Sequence, residues 1–208
     1  MPFAIDEPCT TLYGHRMTWD VSLTRMINEL AGETSWIDWL FLTLSEPDTL
    51  WLPGIVLVGY WLWQRPREAF IGGPVLAGSI GVMDFIGARM KHLVARPRPC
   101  LSMADLHQLQ ACGKNFSFPS NHAVNTATAA AFLQVLYPRS GWISWPIVGL
   151  VGLARVYIGA HYVTDVIGGW VIGGTCGAVI AWLLLQWPQF RQRELSPLGS
   201  TQADSSAP

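Results

Sequence analysis

Charge is what this chain has least of. Asp, Glu, Lys and Arg make up 13% of its 208 residues, against roughly 25% in an ordinary soluble domain. The formal net charge is −1, so no broad basic surface is available and a nucleic-acid partner is not expected. Cysteine is also scarce. The four cysteines form no C-x-x-C pair and no zinc-like spacing with histidine. No acidic cluster has metal-ligand spacing, so neither a metal nor another cofactor is expected. A cleavable leader is not expected either. Asp6 and Glu7 stand where a basic region would be, and no apolar stretch follows. Internal spans can direct insertion without one.

What is abundant is apolar. Half of the residues are hydrophobic, and eleven tryptophans suit the amphipathic belt of a membrane–water interface. Five apolar segments stand out, at residues 49–64, 69–93, 120–138, 141–158 and 163–187. The first is short for a span, which needs roughly 20 residues. Pro53, Pro74 and Pro146 lie in or near these segments, where membrane helices tolerate proline better than soluble ones do. Gly169, Gly173 and Gly177 recur every four residues and read as a packing stripe that allows close helix contact. Residues 19–45 are interrupted by Arg25, Glu29, Glu33 and Asp38. They read as two interfacial helices, with a sixth span as the alternative. The expected architecture is all-α: a polytopic transmembrane helix bundle of about five spans. An N-terminal interfacial segment (1–48) precedes the membrane-embedded domain (49–190), and a Ser-, Pro- and Ala-rich disordered tail (191–208) follows.

Charge also orients the bundle. Arg65 and Arg67 join the first two segments, Arg139 the third and fourth, and Arg191 with Arg193 follows the fifth. Alternating spans put these on one side, which the positive-inside rule makes cytoplasmic. The loop 94–119, the turn near 159–164 and the stretch with Glu46 and Asp48 then share the outer face.

That face collects three polar groups. One is Lys91 with Arg98-Pro99. A second is Pro119-Ser120-Asn121-His122 at the start of the third apolar segment. The third is Arg155, His161 and Asp165. A helix N-terminus presents free backbone N–H groups to an anion. Three cations can neutralise a phosphoryl group and the charge built up during its transfer. Two histidines allow one to attack phosphorus while the other protonates the departing oxygen. A carboxylate four residues after His161, read as its partner on one helical face, would fix the imidazole tautomer.

These motifs resemble the signature of the type 2 phosphatidic acid phosphatase superfamily, which includes the vanadium haloperoxidases. Its pattern is K-x6-R-P, then P-S-G-H, then S-R-x5-H-x3-D. Here Lys91, Arg98 and Pro99 match the first motif. Asn121 replaces the glycine of the second, and Ala154 the serine of the third. The resemblance covers roughly residues 50–187, and is to small bacterial members that act on undecaprenyl diphosphate. It implies that His161 is the nucleophile that becomes phosphohistidine. Asp165 would orient it, and His122 would be the general acid and then help activate water. Lys91, Arg98, Ser120 and Arg155, with backbone N–H groups of Asn121 and His122, would hold the phosphate oxygens. Ala154 lacks the hydroxyl of the motif's serine, which removes a phosphate hydrogen bond worth about 1 kcal/mol.

The expected activity is therefore metal-independent hydrolysis of a membrane lipid phosphate or diphosphate in a bacterial inner membrane, at its outer face. Phosphatidic acid, phosphatidylglycerol phosphate and lipid A phosphate are alternative substrates. A lipid phosphotransferase could use the same site. A vanadate-dependent haloperoxidase is disfavoured by the spans, and a non-catalytic lipid-binding protein by the intact His122, His161 and Asp165. Neither substrate nor oligomeric state is legible. Arg96, outside the motif, reads as a surface or headgroup contact. His15, His92 and His107 read as ordinary loop residues. Cys100 and Cys112 flank one loop and are expected to bond if it faces an oxidising compartment; Cys9 and Cys176 read as isolated.

Overall fold

The structure, a computed structural model, describes residues 18–46, 49, 51–187 and 190. Cys9, His15, Asp48, Arg191, Arg193 and the tail expected at 191–208 lie outside them. Among the described residues every regular element is helical. Helices α1 (Thr18–Asn28) and α2 (Ser35–Ser45) precede α3 (Trp51–Gln64) and the long α4 (Pro66–Val94). A short α5 (Pro99–Ser102) opens the loop to α6 (Asn121–Leu136). A 3-10 turn (Pro138–Ser140), α7 (Gly141–Tyr157) and α8 (Val163–Leu185) complete the fold. The five apolar segments are thus five helices, and the interrupted stretch at 19–45 is two short ones.

α6 is the central helix. It packs most extensively on α8, then on α7 and α4, while α1 and α2 lie across α7. The glycine stripe explains the α6–α8 contact. A Cβ at Gly173 would lie 2.1 Å from the Val124 carbonyl oxygen, and one at Gly177 2.3 Å from that of Thr128. Only glycine lets the backbones approach this closely. The contact also brings the two helix N-termini together, with Ser120 N–H donating to Asp165 O at 3.1 Å.

The bundle's ends are sorted. At one end the α3–α4 corner meets the 3-10 turn: Trp61 Nε1 donates to Tyr137 Oη at 2.6 Å, and Tyr137 Oη to Glu68 Oε2 at 2.5 Å. Arg65, Arg67 and Arg139 all belong to this end. At the other end lie α5, the 103–120 loop, the 158–162 turn and the last residue of α2.

The outer surface is apolar. Ile55, Leu57, Phe70, Phe85, Trp142 and Val171 are all exposed, a display of large apolar side chains that water does not favour. The stretch Pro66–Ser102 and helix Val163–Leu185 are long and apolar enough to cross a membrane, yet only 22% and 28% of their apolar windows are buried. α3, α6 and α7, at 14, 16 and 17 residues, are shorter. Each spans about 21–26 Å at 1.5 Å per residue.

Candidate active site

Two chain reversals place the cations. α4 ends at Ala95, in the left-handed conformation (φ 49°), whose N–H bonds to Lys91 O. The chain then runs extended through Arg96 and Arg98 across the end of the bundle. α7 ends at Ile158, followed by Gly159 with φ 75°, a conformation natural to glycine. The reversal lets Ala160 and His161 N–H both reach Arg155 O, at 3.1 and 3.2 Å. Arg155 and His161 are thereby fixed to each other.

The sequence-predicted residues come together here. Lys91 Nζ donates to the carbonyls of Pro119 (2.5 Å) and Phe116 (3.4 Å), holding the loop that precedes α6. Arg98 Nε donates to Asn115 O (2.7 Å) and Nη1 to Ala160 O (3.2 Å). Arg155 Nη1 donates to Ser45 O at 3.1 Å, so the end of α2 touches the site. All three cations are buried, an arrangement that ordinarily requires anionic company. Ser120 Oγ, His122 Nε2 and Arg155 Nε are buried with no hydrogen-bond partner. A cavity of about 180 Å³ lined by Arg98, His122, Arg155 and the 110–113 loop adjoins them. The start of α6 directs backbone N–H groups toward this end of the bundle. Asn121 turns its amide away, donating to Asp84 Oδ1 at 2.8 Å, and Asn125 joins it at 3.1 Å. Asp84 thus has partners on α6, and Arg89 stacks 4.8 Å above Phe85.

His161 is 2% exposed and Asp165 wholly buried. The pair does not lie on one helical face as expected. His161 precedes the helix, Tyr162 is its N-cap, and Asp165 is the N3 residue of a capping box. Tyr162 N–H donates to Asp165 Oδ2 at 2.9 Å, and Ser117 Oγ donates to the same oxygen. With Oδ2 so engaged, His161 Nδ1 stands 3.7 Å from it and 3.4 Å from Ser117 Oγ. Burial pushes the His161 imidazole down to about 3, and the Asp165 carboxylate opposes this only in part. The ring is therefore neutral at pH 7, with a free lone pair for attack. Burial likewise lowers Arg98, with Asp165 opposing.

Arg96 corrects its reading as a surface or headgroup contact. It is 8% exposed and bridges two carboxylates, with Nη1 2.6 Å from Asp165 Oδ1 and Nη2 2.7 Å from Asp20 Oδ2. The two carboxylates offset the cost of burying its charge. Ser117, Asp20 and the Ser45 carbonyl were also missed. Asp20 carried a faint signal as an acid in an otherwise amphipathic stretch; a backbone carbonyl carries none. His107 holds α1 to the loop, with Nδ1 2.7 Å from Ala31 O. Cys100 and Cys112 are disulfide-bonded, with Cα atoms 6.0 Å apart, and line the cavity. Cys176 is free and half-buried. Among the described residues, no three His, Cys, Asp or Glu side chains gather closely enough to hold a metal.

Known proteins are similar to this chain. The chain is 30% identical over 135 residues to the undecaprenyl-diphosphatase of Sulfolobus acidocaldarius, a match covering 64% of this chain and 63% of that protein. It is 41% identical over 133 residues to phosphatidylglycerophosphatase B of Bacillus subtilis, covering 59% and 62%. The chain thus spans somewhat under two thirds of both. The crystal structure of a transmembrane PAP2-type phosphatidylglycerolphosphate phosphatase from Bacillus subtilis superposes with a TM-score of 0.66 at 24% identity, covering 83% of this chain and 88% of that one. The PAP2 superfamily model matches residues 73–193, a stretch that carries Lys91, Arg98, Ser120, His122, Arg155, His161 and Asp165. By that match and by its fold, this chain belongs to the PAP2 superfamily.

Proposed function

We propose that the protein is an integral-membrane lipid phosphate phosphatase that works without a metal, through a phosphohistidine. The observation that carries this reading is the set of partnerless buried atoms, Ser120 Oγ, His122 Nε2 and Arg155 Nε, beside buried Lys91 and Arg98. Together they suit the oxygens of one phosphoryl group. His161 attacks phosphorus through Nε2 as the bond to the lipid oxygen breaks, and His122 gives that oxygen its proton. Water then attacks the phosphohistidine, His122 takes the water's proton, and phosphate leaves with His161 restored. Asp165 orients the His161 ring and offsets its developing charge from 3.7 Å. Lys91, Arg98 and Arg155 balance the charge that a metal would otherwise balance.

The five apolar helices α3, α4, α6, α7 and α8 serve as spans, with short ones such as α3 accommodated by local bilayer thinning or flanking interfacial residues. The exposed apolar surface supports that reading. The gathering of Arg65, Arg67 and Arg139 at the opposite end supports a site on the outer face of a bacterial inner membrane. The substrate we propose is a polyprenyl diphosphate such as undecaprenyl diphosphate, after the archaeal relative. The phosphatidylglycerophosphatase relative supports phosphatidylglycerol phosphate as the second candidate. Phosphate release from a panel of lipid phosphates in detergent, with EDTA present, tests this. Release from one lipid class, lost in His161→Ala, is expected. Release abolished by EDTA, or retained in full by His161→Ala, overturns the mechanism.

A further inference from the structure

We infer that Asp20 and Arg96 are positioning residues for the reaction, so that the N-terminal helix α1 is part of the catalytic apparatus. The inference rests on the reading of His161 as nucleophile. Four groups form one chain from α1 to that histidine: Asp20, Arg96, Asp165 and His161. Asp20 is fully buried and lies outside the residues matched by the family model. Its Oδ2 accepts from Arg96 Nη2 at 2.7 Å and from Thr164 Oγ1 at 2.6 Å, and its Oδ1 from Thr164 N–H at 3.0 Å. Arg96 Nη1 reaches Asp165 Oδ1 at 2.6 Å and Thr164 Oγ1 at 2.7 Å. The guanidinium also lies 3.9 Å above the ring of Tyr162, the residue that caps α8 and donates to Asp165. Both terminal nitrogens and one face of the Arg96 guanidinium are engaged, so its planar fork holds one orientation.

Charge explains why two carboxylates are needed. Arg96 facing Asp165 alone would neutralise it and weaken its field at His161, 3.7 Å away. Asp20 on the other side shares the guanidinium charge, so the trio carries one net negative charge directed at His161. As His161 forms its bond to phosphorus it becomes cationic, and a fixed anion next to it stabilises that change. The same bonds fix Asp165 in place, and a misplacement of about 1 Å at a reacting group can cost on the order of 100-fold in rate.

The test is a double-variant cycle on phosphate release in detergent, using Asp20→Asn, Arg96→Lys, Asp165→Asn and the Asp20→Asn/Asp165→Asn pair. Asn at position 20 keeps the shape and the acceptor for Thr164 N–H, and removes the charge together with the oxygen that accepts from Arg96 Nη2 and Thr164 Oγ1. Asp20→Asn is expected to lower kcat by tenfold or more, with KM changed less than threefold. Arg96→Lys, which cannot bridge both carboxylates, should fall at least as far. In the Asp165→Asn background Asp20→Asn should cost nothing further, because its effect runs through Asp165. Thermal midpoints measured in parallel separate folding from positioning. If the wild type is active, His161→Ala is dead and Asp20→Asn keeps full kcat, the positioning role alone is overturned. A loss of the same factor in both backgrounds would assign Asp20 a merely structural role and overturn it too. If wild-type activity does not depend on His161, the phosphatase mechanism falls and the positioning role with it.

Discussion

Gly173→Ala puts one methyl group where α6 and α8 have no room for it. The added Cβ would lie 2.1 Å from the Val124 carbonyl oxygen and 2.8 Å from its carbon. Backbone atoms cannot swing aside as a side-chain tip can. Contacts under 3.4 Å are already tight, so the helices must part by about 1.3 Å, enough to cost on the order of 100-fold where reacting groups are misplaced. The parting is felt at the site because Val124 lies one turn beyond Ser120 and the Ser120–Asp165 backbone bond spans the same two helices. Overpacking of this kind costs about 1–3 kcal/mol, so the thermal midpoint in detergent should fall by several degrees and kcat by at least tenfold. Gly149→Ala, whose Cβ would meet nothing within 4 Å, is the control. It should leave kcat unchanged and the midpoint equal or raised, since alanine favours helix by up to about 1 kcal/mol. If Gly173→Ala matches the control in both measurements, the stripe is not what sets the helix spacing.

Three further outcomes are expected. Ser117→Ala removes the hydroxyl that donates to Asp165; loss of a hydrogen bond to a charged group, about 1.5–3 kcal/mol, should lower kcat tenfold or more with little change in KM, as read from steady-state phosphate release. His161 is neutral in the fold down to about 3 but takes a proton near 6.5 when unfolded. Between those values the unfolded chain binds the extra proton, so stability is fully present above 6.5 and declines as pH falls through the window; unfolding titrations of His161→Gln should show a shallower decline than the wild type. Replacing Cys100 and Cys112 by serine should raise KM more than it lowers kcat, because the bond closes the loop that lines the cavity and whose Asn115 carbonyl accepts from Arg98.

The five main helices were legible because each is a largely apolar run with few charges: the segment read as 120–138 is α6 at Asn121–Leu136, and that read as 141–158 is α7 at Gly141–Tyr157. Gly169, Gly173 and Gly177 were legible as packing because their spacing keeps one face. Fixed spacing also made Lys91, Arg98, His122, Arg155, His161 and Asp165 legible as a set. What spacing could not convey is pairing across the chain. Arg96 meets Asp20 from 76 residues away and Asp165 from 69, so nothing local distinguishes it from an exposed arginine. The one available signal was physical: an arginine followed by proline at the mouth of a polar site, close to several buried groups, is a candidate for burial and then gains from nearby anions. His161 and Asp165 were assigned to one helix because their separation fits a helical turn. The left-handed Gly159 and the Tyr162 cap put the helix start between them instead. Ser117 lies two residues before the second motif, and its contact with Asp165 exists only once α6 and α8 have closed.

The central claim is that His161 carries the phosphoryl group. Rapid mixing of the purified protein with a lipid phosphate labelled in its terminal phosphoryl group, followed by alkaline quenching and peptide mass spectrometry, tests it most directly. An acid-labile, alkali-stable phosphoryl group on the peptide containing His161 is expected, forming and decaying within the turnover time and accumulating when His122→Ala slows its hydrolysis. Turnover with no label on His161 at any time, or label on another residue, would contradict the account.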